Sequence, residues 1–417
     1  MLTAAGCGDT TYVMTYNNGV KINAGVYLYS MFIEMSNQFY YSGYAQDFMD
    51  REVDGQPMSD YLVDQAKKSA REFAAVKAQF EKLGLSLSEQ EEDEIRSNVK
   101  LTWDSNSELF ELEGISKESL ELMTRADYER QAVFNYYYGD EGIERPSDDE
   151  LVSYMNDAYV RYKSIRISKA YDSDESAREE RNKEYQALRD EFLEKAKKVD
   201  FAGFDDIIAE FDEYEAQKAA EDAAAEEAAQ QEAALESAAD TEDSREPVAD
   251  EDSVAEVKAP EEPEGEEETS EEPADEVTTD GEDAVLLTDA DTDGGEPDPY
   301  ANEILRNYAN ITATGLESEA GKLMTAVMGL EVGKAEAYED DSAYYIIIKG
   351  DVSERSAEYA AENRESLVSE MKDKEFQAKI DEWVKEIGVV ENTDAVRRYT
   401  AKKVFDIQND YYESLSK

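Results

Sequence analysis

Between Glu215 and Pro299 the chain has no aromatic residue. About 33 acidic side chains there stand against three basic ones, Lys218, Arg245 and Lys258. This stretch carries about half of the formal net charge of −60. An Ala/Glu segment from Ala219 to Ala239 gives way to Pro/Glu/Asp/Thr sequence. Such a composition buries too little apolar surface to offset the entropy of ordering the chain. Residues 215–299 are therefore expected to form a disordered acidic insertion, whose Ala/Glu part can make a solvated helix. Patterned sequence resumes at Tyr300, so the folded part must close around this gap. With 417 residues in all, two or three domains are expected.

Composition removes several function classes. The net charge argues against nucleic acid or an anionic membrane surface as a direct partner. The sequence contains no histidine. That excludes Ser-His-Asp and Cys-His catalysis, the usual zinc ligands and the commonest general base. No apolar run approaches the roughly 18 residues needed to span a bilayer. The 27 tyrosines and 13 phenylalanines supply material for cores and adhesive surfaces.

Outside the insertion, periodicity outlines the elements. Thr10 to Tyr16 reads as a short strand, Asn17-Asn18-Gly19 as a turn, and Val20-Lys21-Ile22 as a second strand. Asn23 is placed to cap a helix from Ala24, and Ser59 to cap one from Asp60 to Leu83 that Gly84 ends. Ser88 with Glu91 has the spacing of a capping box, and Ser116 with Ser119 opens a helix to about Tyr138. A helix starts at Pro146-Ser147-Asp148. The period then changes to two over Tyr162 to Ser168, which predicts a strand. Helices are expected over Glu175–Lys198, from Phe201 to about Phe211, and over Glu317–Met328. Strands are expected at Lys334–Tyr338 and Ala343–Lys349, and long helices over Ser356–Ile387 and Asn392–Leu415. Trp103 and Trp383 lie on amphipathic helices and are read as core.

Cys7 is the only cysteine, so it can make no internal disulfide. Its setting, Leu2-Thr3-Ala4-Ala5-Gly6-Cys7-Gly8, resembles the lipobox of bacterial lipoproteins, with Ala4 where Leu is commoner. The resemblance implies acylation of Cys7 and a leader whose apolar part is not in this sequence. The alternative is a chance cysteine.

Several segments, taken in order, resemble extracytoplasmic foldases of the PrsA and SurA type, which pair a helical chaperone domain with a parvulin peptidyl-prolyl isomerase domain. They are Tyr16-Asn17-Asn18-Gly19-Val20-Lys21-Ile22-Asn23, Leu83-Gly84-Leu85 with Ser88-Glu89-Gln90-Glu91, and Pro146-Ser147-Asp148-Asp149-Glu150-Leu151. Lys163-Ser164-Ile165, Val199-Asp200-Phe201, Leu330-Glu331-Val332-Gly333 and Tyr344-Tyr345-Ile346-Ile347 continue the likeness. Parvulins carry a histidine on the first strand and another on the last; Ser164 and Tyr345 stand at those positions here. The family's glycine-rich segment survives at most as Gly294-Gly295, and its proline-pocket Met and Phe fall at Glu319 and Leu323. Isomerisation requires an apolar groove that favours the twisted prolyl amide rather than strict acid–base chemistry. Whether the chain is an enzyme therefore stays open, and weak or absent isomerase activity is the expectation. The alternative makes Ser164 and Tyr345 ordinary strand residues.

The resemblance implies an α+β fold, mostly helical, with a parvulin-like domain inserted in a chaperone-like one. Residues 1–9 are assigned to a lipobox tether, 10–158 to the chaperone-like domain, and 159–214 with 300–352 to the parvulin-like domain. The acidic insertion takes 215–299, and 353–417 return as helices packing on the N-terminal domain. The groove residues would be Ser164, Arg166, Leu323, Met328 and Tyr345. Asp289, Asp291, Asp293 and Gly294 match the first half of a calcium loop, but Tyr300 stands where the bidentate Glu is needed, so chance is the competing reading. No cofactor is expected. Expected partners are unfolded or newly secreted polypeptides and a membrane reached through a lipid on Cys7, with no nucleic acid and a homodimer left open. Tyr136-Tyr137-Tyr138, Tyr40-Tyr41 and Tyr411-Tyr412 are either client-gripping surface or helix core. The expected location is the outer face of the cytoplasmic membrane. The other reading is a non-catalytic binding or structural lipoprotein with the same fold.

Overall fold

A computed structural model describes residues 11–242 and 300–415, except 18, 46, 54, 172, 310 and 312. Cys7 and Asp289, Asp291, Asp293, Gly294 and Gly295 therefore lie outside the described residues. The chain starts with a hairpin, β1 (Tyr12–Tyr16) and β2 (Val20–Asn23), followed by α1 (Ala24–Tyr41). A small hairpin, β3 (Glu52–Val53) and β4 (Gln56–Pro57), leads into α2 (Met58–Leu83), α3 (Glu89–Glu113) and α4 (Lys117–Tyr138). Next come α5 (Asp148–Ala158), β5 (Tyr159–Ser168), α6 (Glu175–Ala196) and α7 (Phe204–Glu242). After the gap lie β6 (Ile304–Asn307), α8 (Ala313–Glu317), α9 (Glu319–Gly329), β7 (Ala335–Glu339) and β8 (Ala343–Gly350). The chain closes with α10 (Ser356–Glu362), α11 (Arg364–Glu386), β9 (Val390–Glu391), α12 (Thr393–Val396) and α13 (Ala401–Leu415). The fold is α+β and mostly helical, with small antiparallel sheets. Among the described residues no helix is long and apolar enough to cross a membrane.

Two compact units result. One joins Met1–Tyr154 with Ala357–Lys417; the other is Met155–Ser356. In the first unit α2 is the central helix, touching α1, α4, α11 and α13. Ala66, Ala70 and Ala74 recur every fourth residue along it and are fully buried. Residues four apart share a helix face, so this stripe of small side chains lets neighbouring helices approach closely. α11 supplies Phe376 and Ile380 to this unit, and Phe376 meets Phe134 of α4 edge-on at 5.2 Å. Strand β9 closes the three-stranded sheet β2-β1-β9, with the Asn392 N–H donating to the Val13 carbonyl at 2.7 Å.

The second unit is a four-stranded antiparallel sheet in the order β6-β5-β8-β7. Side chains alternate across each strand. Ile165, Ile167, Tyr344, Ile346 and Ile348 face α6 and α7, packing on Phe192, Phe204 and Phe211. Tyr162, Tyr345 and Ile347 pack on the other side, against Met324 and Val327 of α9. Gly350 is required where it stands, because a Cβ there would lie 2.7 Å from the Phe201 ring.

Several local signals act as expected. Ser88 and Glu91 form the capping box, the Ser116 side chain accepts from Ser119 N, and Gly84 ends α2 in the left-handed region. Others do not. Asn23 makes no side-chain cap; Ala24 N–H is taken by the Thr11 carbonyl at 2.8 Å instead. Ser59 lies inside α2, whose start is set by Met58 N–H donating to Arg51 O across the β3–β4 hairpin. The helix expected over Ser356–Ile387 breaks at Asn363, whose backbone N–H and side-chain amide both donate to the Tyr359 carbonyl. The helix expected from Asn392 is also broken, into α12 and α13. Disorder was expected from Glu215 with a solvated helix in the Ala/Glu part; α7 runs through that part as one helix to Glu242. Alanine and glutamate are strong helix formers, and a helix already nucleated by the packed Phe204, Ile207 and Phe211 propagates at little cost.

Candidate functional site

β5 and β8, the first and last strands of the second unit, run side by side at the centre of its sheet. Their register pairs Ser164 with Ile347 and Arg166 with Tyr345. Ser164 and Tyr345 are thus diagonal neighbours, and the period of two puts both on the face that α9 covers. Leu323 of α9 packs into the same apolar cluster. Met328 does not: it is 38% exposed, and its carbonyl accepts from Lys349 Nζ at 2.7 Å. The helix turns it off the sheet-facing stripe of Met324 and Val327. Of the five groove residues, then, Ser164, Arg166, Leu323 and Tyr345 share a face and Met328 is outside it. Glu319 opens α9 and pairs with Lys322 at 2.9 Å.

Tyr345 is buried and held by a polar network. Arg166 Nε donates to its hydroxyl at 3.3 Å, and the hydroxyl in turn bonds the Asp340 carboxylate. Asp340 also accepts from Ser342 N, Ser342 Oγ and Ala343 N. Burial pushes the Asp340 carboxyl up, but these hydrogen bonds outweigh it and hold it below the usual carboxylate range. The Tyr338 ring lies 5.8 Å from that of Tyr345. Ser164 is half-buried. This face accordingly has apolar walls and a phenol fixed between Arg166 and Asp340. Among the described residues no group of acidic or cysteine side chains is arranged to hold a metal ion.

Beside this cluster, towards the β7 edge, a cleft of about 330 Å³ opens between α9 and the sheet. Thr325, Ala326, Gly329, Leu330, Glu336, Ala337, Tyr338 and Ile347 line it. Sequence patterning did not reveal this cleft, because it arises from small residues on two separate elements.

The opposite face of the same sheet is charged inside. Arg161 binds Glu303 through Nε and Nη2 at 2.7 and 2.5 Å, and Glu354 at 2.9 Å. Lys163 binds Asp205 at 2.6 Å, and both cations flank the Phe201 ring at 4.4 and 4.6 Å. Their alternation in Tyr159–Ser168 is the one signal that could have placed them on the buried side.

In the first unit a second cleft, of about 390 Å³, lies among α1, α2 and α4, with Tyr29, Ile33, Glu34, Lys68, Glu72 and Asp127 on its walls. The tyrosine runs divide. Tyr138 is buried and donates to Glu375 at 3.0 Å, while Tyr137 accepts from Gln79 and stacks on Trp383. Tyr41 and Tyr412 are 71% and 56% exposed. Trp383 is buried, and Trp103 packs on the main core. No protein-family model matches the sequence, and no curated protein matches it.

Proposed function

We propose that this protein is a membrane-anchored extracytoplasmic folding factor that binds unfolded secreted polypeptides. Its second unit is a parvulin-like domain that binds without isomerising. One observation carries the reading. The two strands named by the resemblance are central neighbours, and Ser164 and Tyr345 share a face with an apolar helix wall, with no histidine at either position. The cleft beside that face offers apolar contact to an extended chain through Leu330, Ala337 and Tyr338, while Tyr345 is already committed to Arg166 and Asp340. The exposed tyrosines of the first unit add broad, sequence-tolerant contact area. The lipid on Cys7 would hold the molecule at the outer face of the cytoplasmic membrane.

The test combines two assays on the full chain. Suppression of aggregation of a reduced, unfolded client at stoichiometric amounts is expected, with no acceleration of a proline-limited refolding phase. Acceleration that Ser164→Ala or Tyr345→Phe abolishes would overturn the non-catalytic assignment. No suppression of aggregation, together with tight binding to one folded partner, would favour a structural lipoprotein instead. For the anchor, Cys7→Ala is expected to move the protein expressed with its native leader from the membrane to the soluble fraction.

A further inference from the structure

We infer that the outer edge of β7 and the cleft beside it bind an extended polypeptide segment carrying a basic residue two positions from a small apolar one. The inference rests on reading the second unit as a client-binding surface, and it names where and what that surface binds. Among the described residues β7 is an edge strand of its sheet and pairs on one side only, with β8. Among the described residues, no backbone group outside the sheet bonds to Ala335–Glu339. An unpaired strand edge is a template for a further strand, and five residues present about 17 Å of it.

The cleft decides which side chains such a strand needs. Glu336 and Tyr338 line it together with Ile347, and Ala326 and Gly329 of α9, with Leu330 just after it, form the opposite wall. A Cβ on Gly329 would meet nothing within 4 Å, so the wall is open there. Every second residue of an added strand would face this space. One of these positions meets small, apolar walls and takes a small apolar side chain. The next on the same face meets Glu336.

The charge of that position is not already used. Glu331 pairs with Lys334 at 2.6 Å, Glu339 with Lys169 at 2.8 Å and Arg189 at 3.8 Å, and Asp340 is held by Ser342, Ala343 and Tyr345. Glu336, by contrast, makes no ion pair among the described residues. A basic side chain on the incoming strand completes it. The chain's own insertion, with about 33 acidic residues against three basic ones, has the wrong sign for this place. The occupant is therefore another polypeptide.

The test uses the full chain and a fluorescein-labelled peptide of three Lys-Ser-Val-Ser repeats, followed by anisotropy. A second peptide has Glu in place of each Lys. Glu336→Lys is expected to weaken the Lys peptide roughly tenfold and strengthen the Glu peptide. Ala326→Leu, which fills the cleft without changing charge, is expected to weaken the Lys peptide by about the same factor. Hydrogen exchange at residues 335–339 is expected to slow on binding. Unchanged affinity in both variants, or slowed exchange only elsewhere, overturns the edge site. Aggregation suppression measured on the same proteins separates the two readings. If every form suppresses aggregation and peptide affinity is unaltered, the edge site falls and the folding-factor reading stands. If the variants lose the peptide but no form suppresses aggregation, the edge site stands and the folding-factor reading falls.

Discussion

Glu113, the last residue of α3, is a carboxyl group in the wrong solvent. It is 5% exposed, Gln408 of α13 donates to its Oε1 at 2.9 Å, and Oε2 has no partner among the described residues. Burial pushes it up to about 8. The folded state therefore holds this proton more tightly than the unfolded state, where the group titrates near the ordinary value of 4.5. Its contribution to stability is full below that value and is lost as pH rises towards about 8. Glu113→Gln is expected to flatten this part of the pH profile and to raise stability at pH 8 by a few kcal/mol, on the order of 3. Denaturant midpoints at several pH values would check it; an unchanged slope would rule out the buried acid as its source. Glu303 makes the opposite case. With its side chain only 5% exposed, it neutralises Arg161, itself 7% exposed. Glu303→Ala leaves a buried guanidinium short of one partner and is expected to cost about 3 kcal/mol in urea unfolding.

Helix α7 behaves as two objects. Phe204, Ile207 and Phe211 are buried against the sheet, whereas residues 215–225 are exposed throughout. The returning chain is pinned near the start of this helix: Asn302 Nδ2 donates to Asp205 Oδ1 at 3.1 Å, and Glu303 binds Arg161. Tyr214 is about 14 Å along the helix from Asp205. A flexible linker of about ten residues reaches roughly 17 Å. Replacing residues 216–299 by such a linker is expected to leave thermal unfolding of the second unit within a few degrees of the parent. A large drop would mean that the insertion supports the fold. Elements written in local chemistry were legible beforehand: the Ser88–Glu91 box, the Gly84 stop, and the alternation of β5. β6 was not, because Ile304–Asn307 does not alternate and becomes a strand only through its partner Tyr159–Tyr162. The same holds for the site. Ser164, Arg166, Leu323 and Tyr345 could be drawn to one face from strand parity and resemblance. Glu336, Ala326 and the charged interior around Phe201 depend on contacts between segments far apart in sequence.

Across the whole molecule, charge governs encounter before contact. A net charge of −60 draws basic chains from beyond van der Waals range and is screened over about 8 Å at physiological salt. The association rate of the Lys peptide is expected to fall steeply with salt, and less steeply in the variant lacking residues 216–299, whose net charge is about half as large. Stopped-flow fluorescence over a salt series would measure both slopes; equal slopes would place the attraction outside the insertion. Connectivity adds a constraint of a different kind. β1 pairs with β9, and Asn17 N–H donates to Ile387 O, so the first strand waits for partners some 370 residues later. The second unit draws all its strands from within Met155–Ser356 and can mature while the rest is still being made. For a chain delivered from its N-terminus, the faces of α2 and α4 that α11 covers stay open until α11 arrives. During that interval the protein is itself a chain in need of shelter.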